Sequence, residues 1–245
     1  DLLQKFDLPG DDECPDLYPL TADDGRTLWV YSGAHDMYFV GDFDENGLYQ
    51  PIQSVGQLSY NSQSYAAQTY YYEPGKPVIR FAWNRSDIPG APFNGSMCTP
   101  TEMTLKKHGD RYYLSALPIK STENLVVKSD KLDDFTLTHC THELGSKTCR
   151  ISFTVKEGDL TCNLYGLEMK LDKNGLTCGE SILPRLKNEP MKVDIITDTN
   201  SVEIYLNGVA NTVIAHVLDE TKPTFMIHAE DPVEVQNLTV SELSL

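Results

Sequence analysis

The chain has 245 residues, and its 36 acidic against 20 basic side chains give a formal charge of −16 and an isoelectric point near 4.6. That balance argues against a nucleic-acid binder, which needs clustered Lys and Arg to meet the phosphate backbone. With 40% hydrophobic residues, a mean hydropathy of −0.35 and no apolar run near the ~18 residues that cross a bilayer, the composition is that of a soluble globular chain of one large or two ordinary domains.

Asp1-Leu2-Leu3-Gln4-Lys5 lacks the basic start and apolar stretch of a secretory signal, a feature that a processed chain would share, so export stays open. Next comes Asp11-Asp12-Glu13-Cys14-Pro15-Asp16-Leu17-Tyr18-Pro19-Leu20, where a carboxylate precedes a Cys-Pro step. Pro15 pushes Cys14 toward extended geometry, and a glutamate held by such a stiff turn can act as a proton donor to a leaving oxygen. The bland reading is a solvated acidic loop.

Short strand-like runs punctuated by turns follow, and no helical stripe exceeds two turns, so the chain reads as all-β. Residues 28–31 and 37–40 flank Ser32-Gly33-Ala34-His35-Asp36 as a hairpin, and Asp44-Glu45-Asn46-Gly47 is a turn. Runs at 65–72 and 78–83, and the pair 103–106 and 111–114, continue a series of hairpins suited to propeller blades or a barrel. Near residue 124 the aromatics thin out. Longer alternating strands are expected at 135–138, 150–155, 161–171, 191–197, 202–206, 225–228 and 233–240, with a tight turn at Asn207-Gly208. Alternation of this kind suits a sandwich of two sheets. The expected domains are therefore 1–124 and 125–245.

The six cysteines (Cys14, Cys98, Cys140, Cys149, Cys162, Cys178) show no C-x-x-C spacing and are too sparse for a disulfide scaffold, so most are expected as buried thiols. Cys140 and Cys149 flank an expected turn at 142–147, where a bridge is geometrically open. His139 and His142 beside Cys140 lack neighbours to complete a tetrahedral zinc set. Asn84-Arg85-Ser86, Asn94-Gly95-Ser96 and Asn237-Leu238-Thr239 fit the N-glycosylation pattern, a short pattern that chance also produces.

Several segments, in order, carry a family resemblance. Glu13-Cys14-Pro15 resembles the E-C-P motif of glycoside hydrolase family 32, the β-fructofuranosidases that include invertases, levanases and exo-inulinases. Tyr38-Phe39-Val40-Gly41-Asp42-Phe43-Asp44 resembles Y-x-x-G-x-F-D, Ser64-Tyr65-Ala66-Ala67-Gln68-Thr69 resembles Y-A-x-Q-T/S, and Phe81-Ala82-Trp83 resembles I-G-W. The loop Ile88-Pro89-Gly90-Ala91-Pro92-Phe93-Asn94 resembles one in fructan-degrading members, and Pro100-Thr101-Glu102-Met103-Thr104-Leu105 resembles P-R-E-L-T-L. Asn200-Ser201-Val202-Glu203-Ile204-Tyr205-Leu206-Asn207-Gly208 resembles a hairpin of the family's C-terminal sandwich.

The resemblance implies a five-bladed β-propeller followed by a β-sandwich, and retaining hydrolysis of terminal fructose from sucrose or fructans. Glu13 takes the acid/base role, Tyr65 and Trp83 line the sugar site, and no metal or cofactor is needed because two carboxylates suffice. Core packing is the alternative for both aromatics. Glu102 reads as a structural partner, Asp16 as a cap of its own turn, Thr101 replaces the family arginine, and Gln63 stands where many members have aspartate. The family's W-M-N-D-P-N-G nucleophile and R-D-P motifs have no counterpart, the one Asp-Pro being Asp231-Pro232.

The chain is thus expected to hold the later propeller blades and the sandwich. It would be a fragment, one half of a split enzyme, or a product that has lost catalysis. Its partners would be fructose-containing saccharides, the missing propeller segment, or a second copy, and the family favours an extracellular or periplasmic site. A non-catalytic fructan-binding module is the alternative function, and a lectin-like sandwich leaves the motifs of the first half unexplained.

Overall fold

The period-two alternation of buried and half-buried residues along Val78–Asn84 and Cys149–Val155 is what a strand with one inward face requires, whereas Ser201–Leu206 is buried along its whole length. The computed structural model describes residues 4, 5, 7–61, 63–70, 73, 75–87, 92–216, 218, 219, 221 and 223–244. It divides into two compact units, Asp1–Ile119 and Lys120–Leu245. No helix of it is long and apolar enough to cross a membrane.

The first unit is two antiparallel meanders. One runs β1 (Asp16–Thr21), β2 (Thr27–Ser32), β3 (Met37–Phe43) and β4 (Tyr49–Pro51), with the short β5 (Gly56–Gln57) also on β3. The other has the order β10-β9-β7-β6, from β6 (Ser64–Thr69), β7 (Val78–Asn84), β9 (Thr101–His108) and β10 (Arg111–Pro118), with β8 (Ser96–Met97) on β7. Their inward faces share one core, in which Leu28, Val30, Tyr38 and Val40 of the first sheet meet Val78, Leu105 and Leu114 of the second. Burial in this core holds the Tyr38 hydroxyl, which accepts the Leu114 N–H at 3.1 Å, up at about 12.

The second unit opens with a 3-10 turn, Lys120–Leu125, and builds one eleven-stranded sheet. Its strands are β11 (Val126–Lys131), β12 (Phe135–Glu143), β13 (Cys149–Val155), β14 (Leu160–Leu164), β15 (Leu167–Asp172), β16 (Gly175–Cys178), β17 (Ser181–Pro184), β18 (Met191–Asp198), β19 (Ser201–Leu206), β20 (Ala210–Ala215) and β21 (Thr224–Leu243). The expected pair of separate sheets is instead one sheet. The reason is β21, a single strand of 20 residues where two short ones were expected. Its first part pairs with β12 and β14, and its second with β13 and β11, so hydrogen bonding runs unbroken from one half to the other. The far edges, β17 and β20, meet through a buried hydrogen bond between Ser181 Oγ and Thr212 Oγ1 (2.7 Å).

Two further expectations are corrected. The strand expected over 161–171 is a hairpin, β14 and β15, because Tyr165 (φ 48°) and Gly166 (φ 87°) form a left-handed two-residue turn that the Asn163 carboxamide supports through the Gly166 N–H (3.1 Å). All six cysteines are free. Cys140 is opposite Ile227 and Cys149 opposite Glu242, so the two sit at widely separated positions along β21 and cannot bridge. Cys149 is fully buried, and burial pushes its thiol up to about 11. No group of three or more metal-ligating side chains occurs among the described residues.

The two meanders are also tied at the β1–β2 turn. The Asp24 carboxylate accepts hydrogen bonds from Lys107 Nζ (3.0 Å), the Arg26 N–H (3.1 Å) and the Tyr112 hydroxyl (2.8 Å), and these hold it at about 2, below its ordinary 3.8. A depressed carboxyl lends stability that is complete above the unfolded value and is lost as pH falls through the folded one. The melting temperatures of the chain and of Asp24→Asn should therefore differ at pH 5 to 7 and converge toward pH 2; a gap unchanged over that range would contradict the assignment.

Candidate active site

The segment that carries Glu13 is pinned on both sides of that residue. Upstream, Asp11 is buried, and its Oδ2 accepts the backbone N–H groups of His35 (2.7 Å) and Met37 (3.4 Å) while Oδ1 lies 3.4 Å from His35 Nδ1. Gly33 leaves the space for this carboxylate, because a Cβ there would stand 2.5 Å from Asp11 Cγ. The Glu13 carbonyl accepts the Ala34 N–H at 3.0 Å, and the Cys14 carbonyl accepts Gln68 Nε2 at 2.7 Å. Downstream, Asp16 caps its own turn by accepting the Leu17 N–H (2.9 Å), as expected of it, and it also reaches β6 by accepting the Thr69 N–H (2.5 Å). The Glu13 side chain itself is exposed.

Cys14 departs from the extended geometry expected before a proline. Its φ is 48°, a left-handed conformation that costs a non-glycine residue ~1–3 kcal/mol and persists only where the surroundings over-determine it. The surroundings here are Ala34 and Gln68, which hold consecutive carbonyls from two different sheets.

Tyr65 and Trp83 are opposite one another in the β6–β7 ladder, with ring centroids 6.5 Å apart. A bulge between Tyr65 and Gln68, with Ala66 at φ 50°, re-aims the strand at this point, and the Ala67 N–H donates to the Ala34 carbonyl (3.3 Å). Tyr65 also meets the His35 ring edge-on at 4.7 Å and carries the Arg85 guanidinium 4.4 Å above its face. Trp83 is 40% exposed and Tyr65 half-buried, and neither belongs to the buried core. Gly95 fits beneath the indole: a Cβ there would collide with Trp83 Nε1 and stand 2.8 Å from the Asn84 carbonyl.

What joins these pieces is a buried ion pair. Arg80 Nε donates to Asp36 Oδ1 at 2.7 Å and its Nη2 donates to Asp36 Oδ2, with side-chain exposures of 5% and 3%. Ser59 Oγ donates to Asp36 Oδ2 (2.8 Å), and Arg80 Nη2 donates to Ser64 Oγ (3.0 Å). Asp36 ends the loop that grips Asp11 and Glu13, and Arg80 belongs to the strand that carries Trp83. The pair therefore fixes Glu13, Tyr65 and Trp83 to one frame.

Asp11, His35, Asp36, Arg80 and Arg85 are site residues that motif reading passed over. The available signal was Arg80 itself: Val78, Arg80 and Ala82 are the inward positions of an alternating strand, and an inward guanidinium needs a buried carboxylate. Glu102 is half-buried opposite Ile79, and Thr101 is buried. The Gln63 carbonyl accepts the Arg85 N–H at 2.9 Å, supporting the residue that stacks on Tyr65. Residues 88–91 of the loop singled out at 88–94 lie outside the described residues.

Residues 4–116 match the family model "Glycosyl hydrolases family 32 N-terminal domain". The chain is similar to a fructan beta-fructosidase of Streptococcus mutans, 29% identical over 139 residues, which is 46% of this chain and 10% of that protein. A levanbiose-producing levanase of Bacillus subtilis is 27% identical over 179 residues, 64% of this chain and 33% of that protein, so the chain spans only a minor part of these relatives. Among solved structures, the exo-inulinase of Aspergillus awamori has a TM-score of 0.75 at 16% identity, covering 99% of this chain and 59% of that one. The β-fructofuranosidase of Schwanniomyces occidentalis complexed with fructosyl-erythritol has a TM-score of 0.73 at 18% identity, covering 95% and 60%. These two likenesses are of fold.

Removing one partner of a buried pair strands the other charge, at a cost of about 3–5 kcal/mol. Asp36→Ala should lose stability of that order in urea unfolding, and Asp36→Ala/Arg80→Leu should recover a large part of it. A single-variant loss under about 1 kcal/mol would show that the pair does not hold the site.

Proposed function

We propose that this chain, whose residues 4–116 match the N-terminal domain of glycosyl hydrolases family 32, supplies the acid/base half of a retaining β-fructofuranosidase acting on terminal fructose of sucrose or fructans. The observation that carries the reading is the pinning of Glu13: its side chain is exposed, while its backbone is fixed on both sides and its carbonyl bonds the loop whose His35 ring meets Tyr65. An exposed carboxyl group on a fixed backbone is what proton transfer to a leaving oxygen needs.

In the first step the Glu13 carboxylic acid gives its proton to the glycosidic oxygen as the bond to the anomeric carbon breaks, and the aglycone leaves. A carboxylate nucleophile about 5–5.5 Å away takes up the fructosyl group as an ester. The Glu13 carboxylate then takes a proton from water, and the resulting attack on the anomeric carbon releases fructose. Tyr65 and Trp83 offer apolar ring faces to the sugar, with Arg85 and His35 holding the Tyr65 ring in place. The two meanders are, in this reading, later blades of a five-bladed propeller, and the unit from Lys120 stands in the place of the accompanying sandwich, with its two halves joined through β21.

The nucleophile has no counterpart in the sequence, and this favours a second reading in which the chain by itself holds fructan without cleaving it. The outer face of β2 and β3, where Trp29 and Phe43 meet at 5.3 Å, is the surface that a preceding blade or a second copy would cover.

Fructose release from sucrose, inulin and levan separates the two readings. The 245-residue chain is assayed alone and with an added family 32 segment that carries the nucleophile aspartate. Activity should appear only with the segment and fall by about 10²–10⁴-fold in Glu13→Gln. Fructan binding without release in any mixture would favour the binding module, and undiminished release by Glu13→Gln would remove Glu13 from the reaction.

A further inference from the structure

The chain carries a net charge of −16, yet one cavity of about 730 Å³ in the second unit reverses that sign locally. Lys156, Lys173, Arg185 and Lys187 line it against two carboxylates, Glu157 and Glu189. Three stretches build the wall: the end of β13, the β15–β16 turn and the turn that follows β17.

Arg185 laces these stretches together. Its backbone N–H donates to the Asn174 carbonyl (2.8 Å), its Nε to the Glu189 carbonyl (3.0 Å) and its Nη2 to the Lys156 carbonyl (2.8 Å). The turn that presents Lys173 is fixed by Asp172, whose Oδ1 accepts the N–H groups of Asn174 (2.6 Å) and Gly175 (3.2 Å). The guanidinium is thus oriented by neutral carbonyls through two of its five N–H groups, with Glu157 and Glu189 as the carboxylates on the same wall. Among the described residues, Lys173, Lys187 and Arg185 form no ion pair, and Lys156 reaches Glu234 at 3.3 Å.

Converging cations on a pre-ordered backbone suit a compact oxyanion of more than one negative charge. The volume falls within the ~300–1,000 Å³ of small-molecule sites, and among the described residues no aromatic ring lines the cavity to stack a nucleobase. We infer that this cavity binds the phosphate group of a small molecule, either free phosphate or a sugar phosphate. Every residue lining it belongs to the second unit, and the inference does not depend on the proposed hydrolysis.

Isothermal titration calorimetry on the 245-residue chain tests this, with inorganic phosphate and fructose 6-phosphate as probes and fructose as the neutral control. Saturable binding of at least one phosphate probe is expected, at least tenfold weaker in Lys173→Ala/Lys187→Ala and within twofold of the parent in Lys76→Ala. Lys173 and Lys187 are exposed, so an unchanged unfolding transition keeps that comparison clean. Equal affinity for the two probes supports a phosphate site, and tighter binding of fructose 6-phosphate supports a sugar phosphate site. No saturable binding of either, or binding indifferent to the double substitution, would overturn the inference.

Discussion

A guanidinium on the inward face of a strand has to meet a carboxylate before the sheet around it can close, and the first unit is organised by the way Arg80 does so. Its partner Asp36 comes from the other meander, and the contact is two-pronged, with Ser59 and Ser64 filling out the hydrogen bonding. Desolvating both charges is expensive, and only such geometry compensates for it. A buried pair of this kind specifies which loop stands against which strand, because any other register leaves two charges unpaired.

The consequences pass outward through the loop that Asp36 ends. Its backbone N–H groups bind the Asp11 carboxylate and the Glu13 carbonyl, and its Ala34 carbonyl and His35 ring reach β6 at Ala67 and Tyr65. One short loop thereby connects the acidic segment, the bulged strand and the aromatic cluster. The left-handed Cys14 is a local cost of this arrangement, carried beside the residue whose position the proposed chemistry needs most.

Much of this was legible in the sequence. Turn signals and alternation placed strands in both units, although β1, β4, β11, β16, β17 and β20 went unread. The ordered motifs led to Glu13, whose carbonyl bonds the 33–36 loop, to Tyr65, which meets its His35 ring, and to Trp83 opposite Tyr65. Motifs name the residues that a family has in common, whereas Asp36 and Arg80 belong to different strands and meet only through tertiary packing. The strand β21 was legible only in pieces, since Glu230, Asp231 and Pro232 interrupt its apolar pattern at exposed positions where a bent strand tolerates them. The Tyr165-Gly166 turn escaped because a tyrosine in left-handed geometry is not a residue that turn rules look for.

In the proposed function Trp83 belongs to a fructose-binding surface of the first unit, which the Asp36–Arg80 pair holds in place. The chain has two tryptophans, so a nitrogen-15 correlation spectrum contains two indole N–H signals, from Trp29 and Trp83. Titration with a fructan oligosaccharide should shift the Trp83 signal saturably and leave Trp29 in place. A Trp83 signal that stays unmoved at millimolar oligosaccharide would contradict the account.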